Sequence, residues 1–282
     1  MKFTRTLFAM LMVTMVSATA AFALNPSREY KQLPDKYNMI YEEEDVTTSD
    51  GATLKAWYFP STGPKTTQLI LMCHNGEGNM ADYLRKVDQF RTNGYNVVIF
   101  DYRGYGKSSD FAIDNNMYLY PHFQDDVKAM IDFCRGKYVQ AFNIYGWGMG
   151  AGLALGIGWN RLEIKKIIAD TPFLSMEDLE KRFSSWDTPM EVPFAGYDKK
   201  FEPIYSLDVP PTVLKNGYKQ VLLIIGSNDI LFKVDDMKAL QKKQPKMVAK
   251  DIYLVTNPDR LDNFIVDKAA YFKVVSDFMA AQ

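Results

Sequence analysis

Hydrophobic and polar positions change rhythm along this chain. Two alternating runs, Val46 to Thr48 and Thr53 to Phe59, flank Ser49-Asp50-Gly51-Ala52. Alternation on both sides of a turn signal predicts an antiparallel hairpin. From Gln68 the alternation gives way to continuous apolar runs: Leu69-Ile70-Leu71-Met72-Cys73, Val97-Val98-Ile99-Phe100, Phe142 to Tyr145, Lys166 to Ala169, Gln220 to Ile225 and Ile252 to Val255. Runs of this length and character predict strands covered on both faces. Between them, apolar residues recur at helical spacing over Ala81–Asn93 (Leu84, Val87, Phe90), Phe123–Phe133, Gly150–Asn160, Val234–Lys243 and Ile265–Met279. Strands and helices in alternation predict an α/β fold, a mostly parallel central sheet flanked by helices.

The stretch from Phe173 to Asn216 breaks that alternation. It holds five of the thirteen prolines and several aromatics, among them Phe173, Phe183, Trp186, Phe194 and Tyr197. We read 173–216 as a lid inserted over the carboxyl ends of the strands, where open α/β sheets bind their ligands. Its aromatics point to a hydrophobic or amphipathic small molecule or a peptide, or else to a partner surface. Leu24 to Tyr41 reads as a polar, tyrosine-bearing lead-in, and Glu42-Glu43-Glu44-Asp45 as a solvated strand edge.

Composition narrows the picture. A chain of 282 residues that is 47% hydrophobic can build one large core. The net charge is −1, with no long run of one sign, so no nucleic-acid surface is expected. At the N-terminus, Lys2 and Arg5 precede the apolar run Leu7–Val16, and Ala21-Phe22-Ala23 fits a small-x-small cleavage site. Residues 1–23 therefore read as a cleavable signal peptide and 24–282 as one domain, secreted or periplasmic, with no stable membrane insertion after cleavage. Only Cys73 and Cys134 are present, so one disulfide or two buried thiols are both open. No His/Cys cluster has metal-ligand spacing, and no metal or cofactor is expected.

The chemistry centres on Ile144-Tyr145-Gly146-Trp147-Gly148-Met149-Gly150-Ala151-Gly152, where a strand runs through a glycine turn into a small-residue helix. Gly146-x-Gly148-x-x-Ala151 also matches a dinucleotide-binding fingerprint, and Asp170 follows near the spacing of a ribose-binding acid. Two buried strands precede this unit, whereas the fingerprint normally opens the first βα unit.

Four stretches, in order, resemble the α/β-hydrolase superfamily, in its esterase and serine-peptidase-like branch. His74-Asn75-Gly76-Glu77-Gly78-Asn79 is similar to the family's His-Gly-Asn-x-x-Asn loop, and Asp101-Tyr102-Arg103-Gly104-Tyr105-Gly106-Lys107-Ser108 to its Asp-x-Arg-Gly-x-Gly-x-Ser. Gly146 to Gly150 stands at the nucleophile elbow, Gly-x-Ser-x-Gly, and Gly226-Ser227-Asn228-Asp229 where the acid resides. The resemblance implies that Asp229 is the retained acid and that Asn75 and the Met149 N–H form an oxyanion-hole-like pair. It also implies two losses. The serine position is Gly148, and the last loop, Thr256 to Asn263, has no histidine; Arg260 stands closest to its place. Arginine stays protonated and cannot be a general base. The implied state is a pseudoenzyme that binds a ligand in an inherited pocket, lined also by His74, Trp147 and Trp186, with an Asp229–Arg260 ion pair in place of the His–Asp contact. Arg103 is expected to anchor its loop through a carboxylate, and Trp147 to pack under the lid. A working esterase or peptidase with rearranged residues is the alternative. Its nucleophile would be Cys73, Ser175 or Ser227, with Asp170 or Asp229 as acid.

Overall fold

The structure is a computed structural model describing residues 24–63, 68–187, 189–208, 220–243, 252–257 and 262–281. An eight-stranded sheet organises them, in the order β10 (Ile252–Val255), β9 (Gln220–Gly226), β8 (Ile164–Asp170), β7 (Phe142–Trp147), β4 (Leu69–Cys73), β6 (Asn96–Phe100), β3 (Thr53–Phe59) and β2 (Glu42–Thr47). The hairpin β2 (Glu42–Thr47) and β3 (Thr53–Phe59) is antiparallel, and β3 pairs antiparallel with β6 (Asn96–Phe100). The other members, β4 (Leu69–Cys73), β7 (Phe142–Trp147), β8 (Ile164–Asp170), β9 (Gln220–Gly226) and β10 (Ile252–Val255), run parallel. Alternate side chains of each parallel strand enter different cores. Leu69, Leu71 and Cys73 join one with Val98, Phe100 and Ile144. Ile70 and Met72 join the other with Val97, Ile99 and Tyr145. A strand with both faces covered carries no polar face, hence the continuous apolar runs.

Helices α2 (His122–Lys137) and α3 (Met149–Trp159) cover the first face; α1 (Leu84–Thr92), α7 (Asn263–Val266) and α8 (Lys268–Ala280) cover the second. The expected single helix over Ile265–Met279 is broken at Asp267. That residue is extended (φ −148°) and its carboxylate accepts from Ala270 N–H, starting a new helix. Helices α4 (Met176–Phe183), α5 (Pro203–Asp208) and α6 (Val234–Lys243) complete the described elements. Cys73 and Cys134 are free, buried thiols.

Residues 24–30 are more ordered than a polar lead-in. Strand β1 (Asn25–Pro26) pairs in parallel with β5 (Glu77–Gly78) in the loop after β4. Leu24 is buried; a β-carbon on Gly76 would lie 2.7 Å from it. Tyr30 O–H donates to Asp101 Oδ2 at 2.6 Å. Arg103 anchors its loop as expected. Nε and Nη2 donate to buried Asp126 Oδ1 at 2.9 and 2.7 Å, and Nη1 donates to Asp50 at 2.6 Å. The acidic cluster lies on edge strand β2, with Glu44 bonded to Lys137 and Tyr138.

Candidate functional site

Strand β7 ends at Trp147, helix α3 begins at Met149, and Gly148 joins them at φ +56°, ψ −128°. Side-chain-bearing residues adopt this backbone poorly, and glycine holds it without strain. Gly148 N–H donates to Asp170 O at 2.9 Å, tying the turn to β8. The Met149 N–H belongs to the first turn of α3, whose donors have no acceptor within the helix and face the positive end of its dipole. The turn carries no side chain at position 148. The space it would need is also closed, because a β-carbon at 148 would lie 2.9 Å from Asn75 Cβ.

The loop that carries Asn75 is held from below. Asn75 Oδ1 accepts from Tyr83 O–H at 2.5 Å, and Tyr105 O–H donates to Gly76 O at 2.8 Å. His74 is fully buried and does not line the pocket, contrary to the expectation from its motif. Its Nδ1 accepts from Gly76 N–H at 3.2 Å, which places the ring proton on Nε2. Burial drops its pKa to about 3, so it stays neutral. It lies 3.9 Å from Asp101, whose own pKa burial raises to about 7.

Asn75, Gly148, Met149 and Asp229 line one pocket of about 330 Å³, together with Tyr83 and Tyr118. Asp229 Oδ1 accepts from the N–H groups of Leu231 and Phe232, both at 2.8 Å, which fixes the turn after β9. Arg260 lies outside the described residues, and so does the expected Asp229–Arg260 pair.

The described part of the last loop brings an amide and carboxylate network. Asn263 Nδ2 donates to Asp170 Oδ1 at 2.7 Å, and Asn257 Nδ2 to Asn263 Oδ1 at 2.8 Å. Tyr271 O–H donates to Asp170 Oδ2 at 2.8 Å. Burial pushes Asp170 up to about 7, with Lys86 pulling down and Asp262 pushing up. Asp262 pairs with buried Lys86 at 2.9 Å, and the Lys86 ammonium sits 4.1 Å from the centre of the Trp147 ring. Sequence reading missed Lys86, Tyr83 and Tyr118. Lys86 lies off the Leu84–Val87–Phe90 stripe of its helix, and Tyr118 lies in a segment without period. Among the described non-glycine residues of the pocket wall, Thr171 has a positive φ (+52°), which a β-branched residue seldom holds.

Other expected residues lie elsewhere. Trp147 lines the pocket but packs on Tyr83 and Tyr145, with ring centres 4.8 and 5.3 Å away. It therefore belongs to the α1 face and does not sit under the aromatics of 173–208. Trp186 packs on Phe183 at 4.7 Å and is absent from the pocket wall. Phe173, Phe183 and Tyr197 are buried in the core around α3, where Gly152 makes room for the Phe173 ring. None of the three lines the pocket.

The replacement nucleophiles are committed to structure. Cys73 is buried, which pushes its thiol pKa up. Ser175 Oγ accepts from Asp178 N–H at the start of α4, and Ser227 Oγ from Asn257 N–H at 2.9 Å. Asp170, the acid a dinucleotide module would turn to a ribose, is buried and accepts from Asn263 and Tyr271.

Residues 64–199 match the family model described as serine aminopeptidase, S33. The chain is 26% identical over 244 residues to the uncharacterized protein YfhR of Escherichia coli K12, covering 82% of this chain and 76% of that one. It is 27% identical over 156 residues to protein bem46 of Schizosaccharomyces pombe, covering 54% and 51%. Among solved structures, Pyrococcus furiosus esterase Pf2001 superposes with a TM-score of 0.70 at 20% identity, covering 91% of this chain and 96% of that one. XC6422 of Xanthomonas campestris, a serine hydrolase without a lid, gives 0.53 at 18%, covering 86% and 96%. On sheet order and these matches together, the chain has the α/β-hydrolase fold.

Proposed function

We propose that this protein binds a small ligand in the pocket at its glycine elbow and does not turn it over by serine chemistry. One observation carries the reading: Gly148 has no Oγ, and the Asn75 β-carbon fills the space beside it. Acyl transfer needs a nucleophile, a base that takes its proton and an acid that orients the base. Of these, only the acid position, Asp229, is occupied by a suitable group. His74 is buried and neutral, and His122 is exposed at the start of α2, away from the pocket wall. The site of action is outside the cytoplasm, a reading supported by the charged, apolar and small-residue pattern of residues 1–23.

Hydrolysis of short-chain nitrophenyl esters by the purified protein tests the reading. No turnover is expected from the native chain. Turnover that Asp229→Ala abolishes would overturn it. Restoration requires three changes together, Asn75→Gly, Gly148→Ser and Arg260→His, because serine at 148 lacks room while Asn75 remains. N-terminal sequencing of the exported protein tests localisation, with Leu24 expected as the first residue.

A further inference from the structure

Residues 24–30 run along the loop that supplies one side of the elbow pocket. Among the described residues, β5 in that loop has β1 as its one sheet partner. Asn25 N–H donates to Gly76 O at 3.0 Å, and Ser27 N–H to Gly78 O at 2.8 Å. Ser27 O accepts in turn from Gly106 N–H at 2.9 Å and from Asn79 Nδ2 at 3.1 Å. The same Asn79 amide donates to Glu29 O at 2.8 Å. These bonds fall between pocket residues. Asn75 and Glu77 flank Gly76, and Asn79 caps the helical turn Met80–Tyr83, which ends on the wall residue Tyr83.

Leu24 seats this strap. It is the one fully buried residue of the seven; Asn25, Arg28 and Glu29 are exposed. A β-carbon on Gly76 would lie 2.7 Å from Leu24 Cδ2 and 3.4 Å from Met149 Cε. Leu24 and the pocket residue Met149 therefore converge on the bare face of Gly76. The hydrogen bonds that the strap makes to the rest of the described chain end on the loops after β4 and β6, not on strands of the large sheet. A segment with one apolar anchor and mostly exposed backbone opens at far lower cost than the sheet. We propose that Leu24 is a positioning residue for the elbow pocket: while it is seated the Asn75–Glu77 wall and the turn carrying Tyr83 are set, and when it leaves its seat they loosen although the sheet stands. The proposal rests on the reading that the elbow pocket is the binding site. Leu24 also follows Ala21-Phe22-Ala23 directly. A cut after Ala23 keeps the seat and a cut one residue later removes it, so the point of signal removal decides whether the pocket is set.

Hydrogen exchange measured by NMR on the processed chain tests this. Leu24→Asp places a charge in the apolar seat and unseats the strap; Leu24→Met keeps the seat filled. The reporters are Gly76 N–H, which donates to His74 Nδ1, Asn79 N–H, which donates to Asp82, and the buried indole N–H of Trp147, whose ring packs on Tyr83. In Leu24→Asp, and in a chain beginning at Asn25, all three are expected to exchange roughly 10-fold faster or more, with the amides of Leu222–Ile225 in β9 within about twofold of native. Leu24→Met is expected to keep native rates. If Leu24→Asp fails to fold, the chain beginning at Asn25 decides. Unchanged reporters, equal acceleration in β9, or Leu24→Met as fast as Leu24→Asp would overturn the proposal. No ligand enters the measurement, so ester turnover by the native chain would sink the non-catalytic reading and leave the role of Leu24 standing.

Discussion

Gly148 and Asn75 share one space: a β-carbon on Gly148 would come within 2.9 Å of Asn75 Cβ. The superfamily motif that this loop resembles has glycine at the Asn75 position and serine at the Gly148 position. The residues at the two positions fit each other sterically, Asn75 bringing a side chain where Gly148 has none. Gly148→Ser alone is expected to destabilise the protein by about 1–3 kcal/mol, from strain at φ +56° and the contact with Asn75. Asn75→Gly in the same chain should recover part of that loss. Urea unfolding of the single and double variants measures the coupling, and strictly additive values would show that the contact does not matter.

The strap at residues 24–30 holds the same loop from its other side. Tyr30→Phe removes the 2.6 Å bond to Asp101, a fully buried carboxyl whose other oxygen accepts from Met80 N–H. The expected cost is about 1–3 kcal/mol. Amide exchange should quicken over residues 74–83, with little change in β9. Equal exchange in the two chains would make Tyr30 a surface ornament.

Arg103 links three segments through Asp126 and Asp50. Arg103→Ala strands the buried Asp126 carboxylate and is expected to cost about 3–5 kcal/mol. Lysine cannot reproduce the fork, so Arg103→Lys should rescue little. Adding Asp126→Leu to Arg103→Ala should recover stability, because no buried charge is then left alone. Thermal unfolding of the three variants gives the order.

Asp170 sets an expected pH dependence. Its folded pKa, about 7, lies above the ordinary carboxylate value of 3.8, so the folded chain holds a proton that the unfolded chain has released. The contribution is complete below about pH 4 and is lost as pH rises through 7. Asp101, also raised to about 7, acts in the same direction. His74, lowered to about 3, opposes them, losing stability as pH falls from 6.5 toward 3. Asp170→Asn should reduce the fall in melting temperature as pH rises from 5 to 7, a comparison in which the His74 contribution, common to both proteins, cancels. An unchanged slope would mean that Asp170 is ionised in the folded chain.

Much of the fold is legible in the sequence. The bounds of β4 and β10 coincide with the apolar runs Leu69–Cys73 and Ile252–Val255, and α6 with Val234–Lys243. The break at Asp267 was hidden, because apolar spacing continues across it and only the capping bond at Ala270 ends one helix and begins the next. The aromatics after Phe173 were misread as pocket walls. Composition marked them as apolar, but which surface they cover depends on where α3 presents its glycines.

The sequence by itself determined the layered sheet and the glycine at the turn between β7 and α3. Burial on both faces writes itself as a local run, and a missing side chain is missing in any conformation. The tertiary structure alone decided which polar groups meet. Tyr30 and Asp101 are 71 positions apart, and Asn263 and Asp170 are 93 apart. Contacts between loops carry no period along the chain, and whether a donor is left unpaired, as at Tyr118 and Trp147, depends on every neighbour that folding brings to it.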